Sequence, residues 1–254
     1  MYPQIKLLGY EIGTFPVCVG IGLAFGTAFI FLQLKRMAVS PERENAVMPA
    51  IPFTFIVGAV GAHIVDVILI GGVKALIKTP FAYGLTFYGW LLTACIFLLI
   101  YSRVVHISPA FMLNLFCPAF AAAQAWGRLG CFLGGCCYGQ PSSWGVVYPV
   151  GSLPYTHFGA TPLLPVQLFE CIYLAALFIV LIGFVRFKRR AVCYFILAPI
   201  GRFILEFFRS DERGVLFKET LSPSQWFSIL FFVIGICWFL LIKKQGGKYV
   251  SRKQ

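Results

Sequence analysis

Seven apolar segments, separated by short polar connections, constrain this chain more than any other feature. They lie near Pro16–Leu34, Ile51–Ile70, Tyr83–Ser102, Ala110–Trp126, Leu164–Val185, Ala191–Phe207 and Pro223–Ile242. A bilayer core needs about 20 apolar residues for a helical span. Inside lipid every backbone polar group must be bonded internally, so such segments fold as helices. The chain is 59% hydrophobic and only 12% charged over 254 residues, against about 25% charged in soluble domains. The expected fold is an all-α integral membrane protein of seven transmembrane helices, forming one membrane-embedded domain over 1–254. The first segment is not preceded by a charged region, so it is expected to be a retained span and not a cleaved signal.

The formal charge of +12 raises nucleic acid as a partner, but the basic residues sit between apolar runs. There they serve topology and lipid headgroups, and no nucleic-acid partner is expected. Lys35, Arg36, Arg43, Arg103, Arg186, Lys188, Arg189, Arg190 and the tail at 243–254 concentrate on one set of alternate connections. The positive-inside rule then places the N-terminus outside and the C-terminus in the cytoplasm. The connection at about 139–162 falls on the outer face, and the basic tail lies against the cytoplasmic leaflet.

Chemistry concentrates after the fourth segment. Gly127–Gly139, GRLGCFLGGCCYG, holds one arginine, three cysteines and five glycines. Arginine at membrane depth is costly and needs a polar partner. A glycine-rich break around it, with Gly127 and Gly130 admitting a ligand, suits an anion. A second arginine element, GRFILEFFRSDERG, spaces Arg202, Glu206 and Arg209 along one helix face. It reads either as a snorkelling helix end or as the second half of a phosphate clamp, since arginine binds phosphate through a planar fork. PVQLFE at Pro165–Glu170 puts Gln167 and Glu170 on one face at a helix start, as a cap or as polar support for the arginines. Tyr88 in TFYGW is an interfacial aromatic or a hydroxyl in a central cavity. His63 and Asp66 stand one turn apart within a span and can bond each other.

Most of the nine cysteines are isolated in apolar runs and behave as small hydrophobes. Cys131, Cys136 and Cys137 cluster. Their C-x4-C-C spacing is not a structural zinc pattern, which wants four ligands, so no metal site and no cofactor is expected. Helix packing, a disulfide of Cys131 with Cys136 or Cys137, and thiol chemistry remain open.

The order of GRLGCF, PVQLFE, RFILEFFRSDERG and LSPSQW resembles the prolipoprotein diacylglyceryl transferase family. The resemblance implies a seven-span enzyme of the bacterial inner membrane whose site opens toward the periplasm. It implies phosphatidylglycerol and a prolipoprotein signal peptide as partners. The diacylglyceryl group would pass to the thiol of the lipobox cysteine, and glycerol phosphate would leave. The family's signature arginines fall on Arg128 and Arg202, with Glu206 and Arg209 in register. The chain departs from the family where Tyr88 replaces a histidine, Cys131 and Gly134 replace asparagines, and Cys136 replaces a glutamate. On this reading Arg128, Arg202 and Tyr88 are catalytic, and Glu206, Arg209, Gln167, Gly127 and Gly130 bind substrate. The alternatives are a relative with another acceptor that uses Cys131, Cys136 or Cys137 in thiol or redox chemistry, and a phospholipid-binding membrane protein without catalysis.

Overall fold

The computed structural model describes residues 4–7, 10–71, 86–210 and 221–251. Lys74, Lys78, the start of the third apolar segment at Tyr83, the end of the second arginine motif from Asp211, and the last residues of the tail lie outside them. A hairpin opens the chain: β1 (Gln4–Leu7) pairs antiparallel with β2 (Tyr10–Gly13). This element was not anticipated from hydropathy. Helices follow: α1 (Thr14–Arg36), α2 (Pro41–Val47), α3 (Ala50–Gly71), α4 (Phe87–Val104) and α5 (Pro109–Gly134). Then come β3 (Pro141–Val146), α6 (Leu153–Phe158), α7 (Val166–Gly183), a single 3-10 turn, α8 (Arg190–Glu206) and α9 (Pro223–Ser251).

Helix α5 is the centre of the molecule. It packs against α1, α4, α7 and α8, while α3 leans on α4 and α9 on α8. Its face from Met112 to Ala122 is buried throughout. The surrounding helices turn their apolar side chains outward. Leu32, Ile56, Val60, Ile100, Ile172, Ile179 and Leu241 are all exposed, the arrangement expected where lipid and not water is the solvent. Among the described residues five helical stretches, at Thr14–Arg36, Pro41–Leu69, Phe87–Val104, Val166–Gly183 and Pro223–Lys244, are long and apolar enough to cross a membrane. The other two expected segments are also helical. However, α5 carries Asn114 and Arg128 in the protein interior, and α8 has only 17 residues.

Two joints fix α5. Asn114 Oδ1 accepts the backbone N–H of Ala191 at 2.8 Å, satisfying one of the donors left open at the start of α8. At the other end the expected break at Gly127–Gly130 is absent. The helix continues through Arg128 and stops at Gly135, whose φ of 72° is the left-handed conformation glycine adopts without strain. Cys136 N–H bonds Cys131 C=O at 3.1 Å, and Gly135 N–H bonds Phe132 C=O at 3.3 Å. This pair of bonds is a Schellman ending. The chain then zips between two others: Gly139 N–H to Leu164 C=O at 3.0 Å and Gln140 N–H to Phe208 C=O at 2.9 Å. Those bonds carry the cysteine loop to the ends of α7 and α8.

Candidate active site

Arg128 on α5, Glu170 on α7 and Arg202 on α8 meet where the three helices pack. Arg128 Nε lies 3.0 Å from one Glu170 oxygen, and Arg202 Nη1 lies 2.6 Å from the other. Arg202 Nη2 reaches Glu206 at 2.7 Å and donates to Ser224 Oγ at 3.3 Å. Glu206 also accepts from Ser222 Oγ at 2.9 Å and lies 3.9 Å from Arg209 Nε. All five charged side chains are buried. Such burial is tolerable only because each charge faces an opposite one, with directed hydrogen bonds from Arg202 to Glu170 and from Ser222 to Glu206. Three guanidiniums against two carboxylates leave the cluster positive.

The two signature arginines are held differently. Both terminal nitrogens of Arg202 are engaged within the protein. Among the described residues Arg128 is tied through Nε alone, so its planar fork of terminal nitrogens remains for a ligand. Glu170 is the hub that sequence reading placed only as polar support. Its signal was the i, i+3 spacing from Gln167, but nothing along the chain shows that it bridges both arginines. Ser224 and Ser222, in LSPSQW, were likewise not singled out as site residues. Arg209 does not continue the helical face of Arg202 and Glu206. Helix α8 ends at Glu206, and Arg209 reaches the cluster from a bridge with Gly139.

Tyr88 on α4 is buried and stacked on Phe227 and Phe231, with ring centroids 5.7 and 5.8 Å away. Its hydroxyl lies 2.6 Å from Ser228 Oγ. It lines a narrow crevice with Glu170, Arg202, Tyr173, Gln124 and Tyr194. Gln167, expected near the substrate, instead braces the cysteine loop. Its Nε2 donates to the Cys136 carbonyl at 2.6 Å and lies 2.9 Å from the Tyr148 hydroxyl. Gly130 is occupied by packing: a Cβ there would stand 2.9 Å from Cys18 Cβ and 3.2 Å from Phe15 Cα of α1. Its expected contact with substrate gives way to that close helix approach. Gly127 has open space at its Cβ direction. Asp66 accepts from the Thr86 hydroxyl.

All three clustered cysteines are free thiols, and their sulfurs lie within 4.8 Å of one another. The spacing alone did not show this convergence, because Cys131 is on α5 and the other two follow the turn at Gly135. Cys137 has a φ of 62°, a conformation uncommon for a residue with a side chain. Beyond the helix, hydrogen bonds from Cys131 and Cys136 hold the Cys137 thiol well below the ordinary thiol range, with Arg209 and Arg128 adding to the effect. The same trio pushes Cys136 upward.

Residues 3–241 match the sequence model of the prolipoprotein diacylglyceryl transferase family. The chain belongs to that family. It is 30% identical to phosphatidylglycerol–prolipoprotein diacylglyceryl transferase 2 of Clostridium perfringens, over 98% of each chain. It is 29% identical to the Clostridium tetani transferase of the same description, over 91% of this chain and 93% of that one. A Streptococcus agalactiae transferase is 25% identical over 97% of both. The family assignment makes the chain a transferase of lipoprotein biosynthesis, and its outward apolar helices make it a multi-pass membrane protein.

Proposed function

We propose that this protein transfers a diacylglyceryl group from phosphatidylglycerol to the thiol of a prolipoprotein lipobox cysteine. The donor and acceptor are those in the descriptions of its relatives. The proposed topology is seven spans in a bacterial cytoplasmic membrane, with α5 and α8 counted among them. The N-terminus is outside, the tail at 243–254 is cytoplasmic, and the site opens to the outer face. The charge bias of the connections supports that orientation.

The observation that carries the reading is Glu170 bridging Arg128 and Arg202. Arg128 presents its open fork to the headgroup phosphate. Arg202, oriented by Glu170, Glu206 and Ser224, holds that geometry and contributes positive potential from behind. As the acceptor sulfur attacks the glyceryl carbon, the carbon–oxygen bond breaks and negative charge collects on the departing glycerol phosphate. A preorganised cation in a dry site stabilises that charge far more than water does. Tyr88 lines the space in front of Arg202, and Arg209 closes the basic face. Replacing Arg128 or Arg202 by Ala is expected to lower transfer from phosphatidylglycerol vesicles to a lipobox peptide by about 10²–10³-fold. Full activity in either variant overturns the assignment.

A further inference from the structure

In the proposed reaction the acceptor thiol must lose its proton, because a free thiol with a pKa of about 8.5 is mostly protonated at neutral pH. The described residues around the cluster offer no unengaged base. Glu170 is held by two arginines, and Glu206 by Arg202, Arg209 and Ser222. The Tyr88 hydroxyl is buried against Ser228, and His157 is bonded to Tyr138 at 2.7 Å. What the site does offer is three converging sulfurs.

We propose that Cys131, Cys136 and Cys137 bind one zinc(II) ion, whose fourth coordination position takes the acceptor thiol as the attacking thiolate. The identity of that acceptor rests on the reading above. A Zn–S bond of about 2.3 Å sets tetrahedral sulfurs about 3.8 Å apart, and the three sulfurs already lie within 4.8 Å of one another. Among the described residues no fourth histidine, cysteine or carboxylate joins the group at that range. Three protein ligands with an open fourth position is the pattern of a catalytic zinc; four ligands mark a structural one.

The surroundings suit an ion held in place. The loop is pinned by the Schellman ending, by the backbone bonds at Gly139 and Gln140, and by Gln167 on the Cys136 carbonyl. Tyr138, next to the last ligand, is anchored by His157. Outer supports of this kind fix ligand orientation in metal sites. Three thiolates this close repel one another, and a divalent cation cancels two of their three charges. Arg128 and Arg209 flank what remains.

The step balances as follows. The acceptor R–SH coordinates zinc and gives its proton to water, since a metal-bound thiol is deprotonated outright. The zinc-bound sulfur attacks the glyceryl carbon of phosphatidylglycerol. A C–S bond forms, and the C–O bond to phosphate breaks with its electron pair leaving on glycerol phosphate. The product thioether is neutral and a weaker ligand than thiolate, so it yields its place to the next thiol.

The test uses the purified full chain, stripped of metal by a chelator and titrated with cobalt(II) as a spectroscopic stand-in for zinc. The expected result is uptake of one ion per chain with intense sulfur-to-metal absorption. That absorption shifts when a cysteine-containing lipobox peptide is added and does not shift with its serine counterpart. Cys131→Ser and Cys136→Ser are expected to weaken metal binding roughly 100-fold or more, beyond the loss of an outer-shell support. Cys136→His, which keeps a ligand, is expected to restore it, and this guards against a variant that merely fails to fold. Equal metal uptake by the Ser variants, or a spectrum indifferent to the cysteine peptide, overturns the proposal. The spectrum needs no phospholipid, so the two readings fail separately. A peptide-dependent shift without any transfer sinks the transferase assignment and leaves the zinc site. Transfer that survives complete metal removal sinks the zinc site and leaves the transferase.

Discussion

The two ends of Gly127–Gly139 solve opposite problems. Arg128 is on a helix and meets its partner across a helix–helix interface, where Glu170 is held at 3.0 Å. The cysteines stand mostly beyond the helix, in a loop whose shape comes from backbone bonds and one glutamine. The charged end is held by opposite charge, and each member there depends on the others. The thiol end is held by scaffolding and keeps three sulfurs turned toward one another. The comparison teaches that arginine and cysteine, neighbours in sequence, use the same helix in different ways: Arg128 meets the charge of Glu170 on α7, while Cys136 is held through its backbone carbonyl by Gln167 one turn earlier.

The largest expected effect comes from removing the hub. Glu170→Ala leaves Arg128 and Arg202 facing each other without their shared carboxylate. Breaking a buried pair by deleting one partner costs about 3–5 kcal/mol. A lowered thermal unfolding midpoint in detergent, together with lost transfer, checks this. Wild-type stability would mean that the charged end is not mutually dependent. A smaller effect is expected at the thiol end. Gln167→Leu leaves the Cys136 carbonyl unpaired at a cost of about 1–3 kcal/mol. Maleimide labelling of Cys136 and Cys137 should speed up while the arginine cluster keeps its stability. Unchanged labelling would remove Gln167 as the brace. The smallest effect belongs to Tyr88→Phe, which deletes one hydrogen bond to Ser228, worth about 1 kcal/mol. Transfer is expected to fall only about tenfold or less, on the same scale of energy. A loss of several hundredfold would make the Tyr88 hydroxyl part of the proton path and weaken the case for the thiols.

Much of this was legible along the chain. Hydropathy located the long apolar helices but not the short α2 and α6, with the ends of α1, α3 and α8 close to the apolar boundaries. The i, i+4 spacing of Arg202 and Glu206 predicted their ion pair, because that spacing holds within one helix. The motif at Gly127 was read as a break because five glycines in thirteen residues are poor helix formers. Packing overrode that propensity: α1 comes so close at Gly130 that a methyl group would collide with Cys18. Small residues at such a contact are what let helices meet without a hydrophobic driving force between them. Glycine therefore served helix contact at that position, where a ligand had been expected.

The sequence by itself determined that this chain lives in a membrane, that its apolar segments are helical, and that two arginine motifs need compensating charge. Local spacing and solvent preference act over a few residues, and those are recorded in the order of the letters. Only the tertiary structure decided that Glu170 answers both arginines, that among the described residues Arg128 and not Arg202 keeps its terminal nitrogens open, and that three sulfurs converge. Each of those depends on where α5, α7 and α8 cross, and on a turn at Gly135 that folds Cys136 and Cys137 back toward Cys131. Contacts between residues tens of positions apart are set by packing as a whole, so no window of sequence contains them.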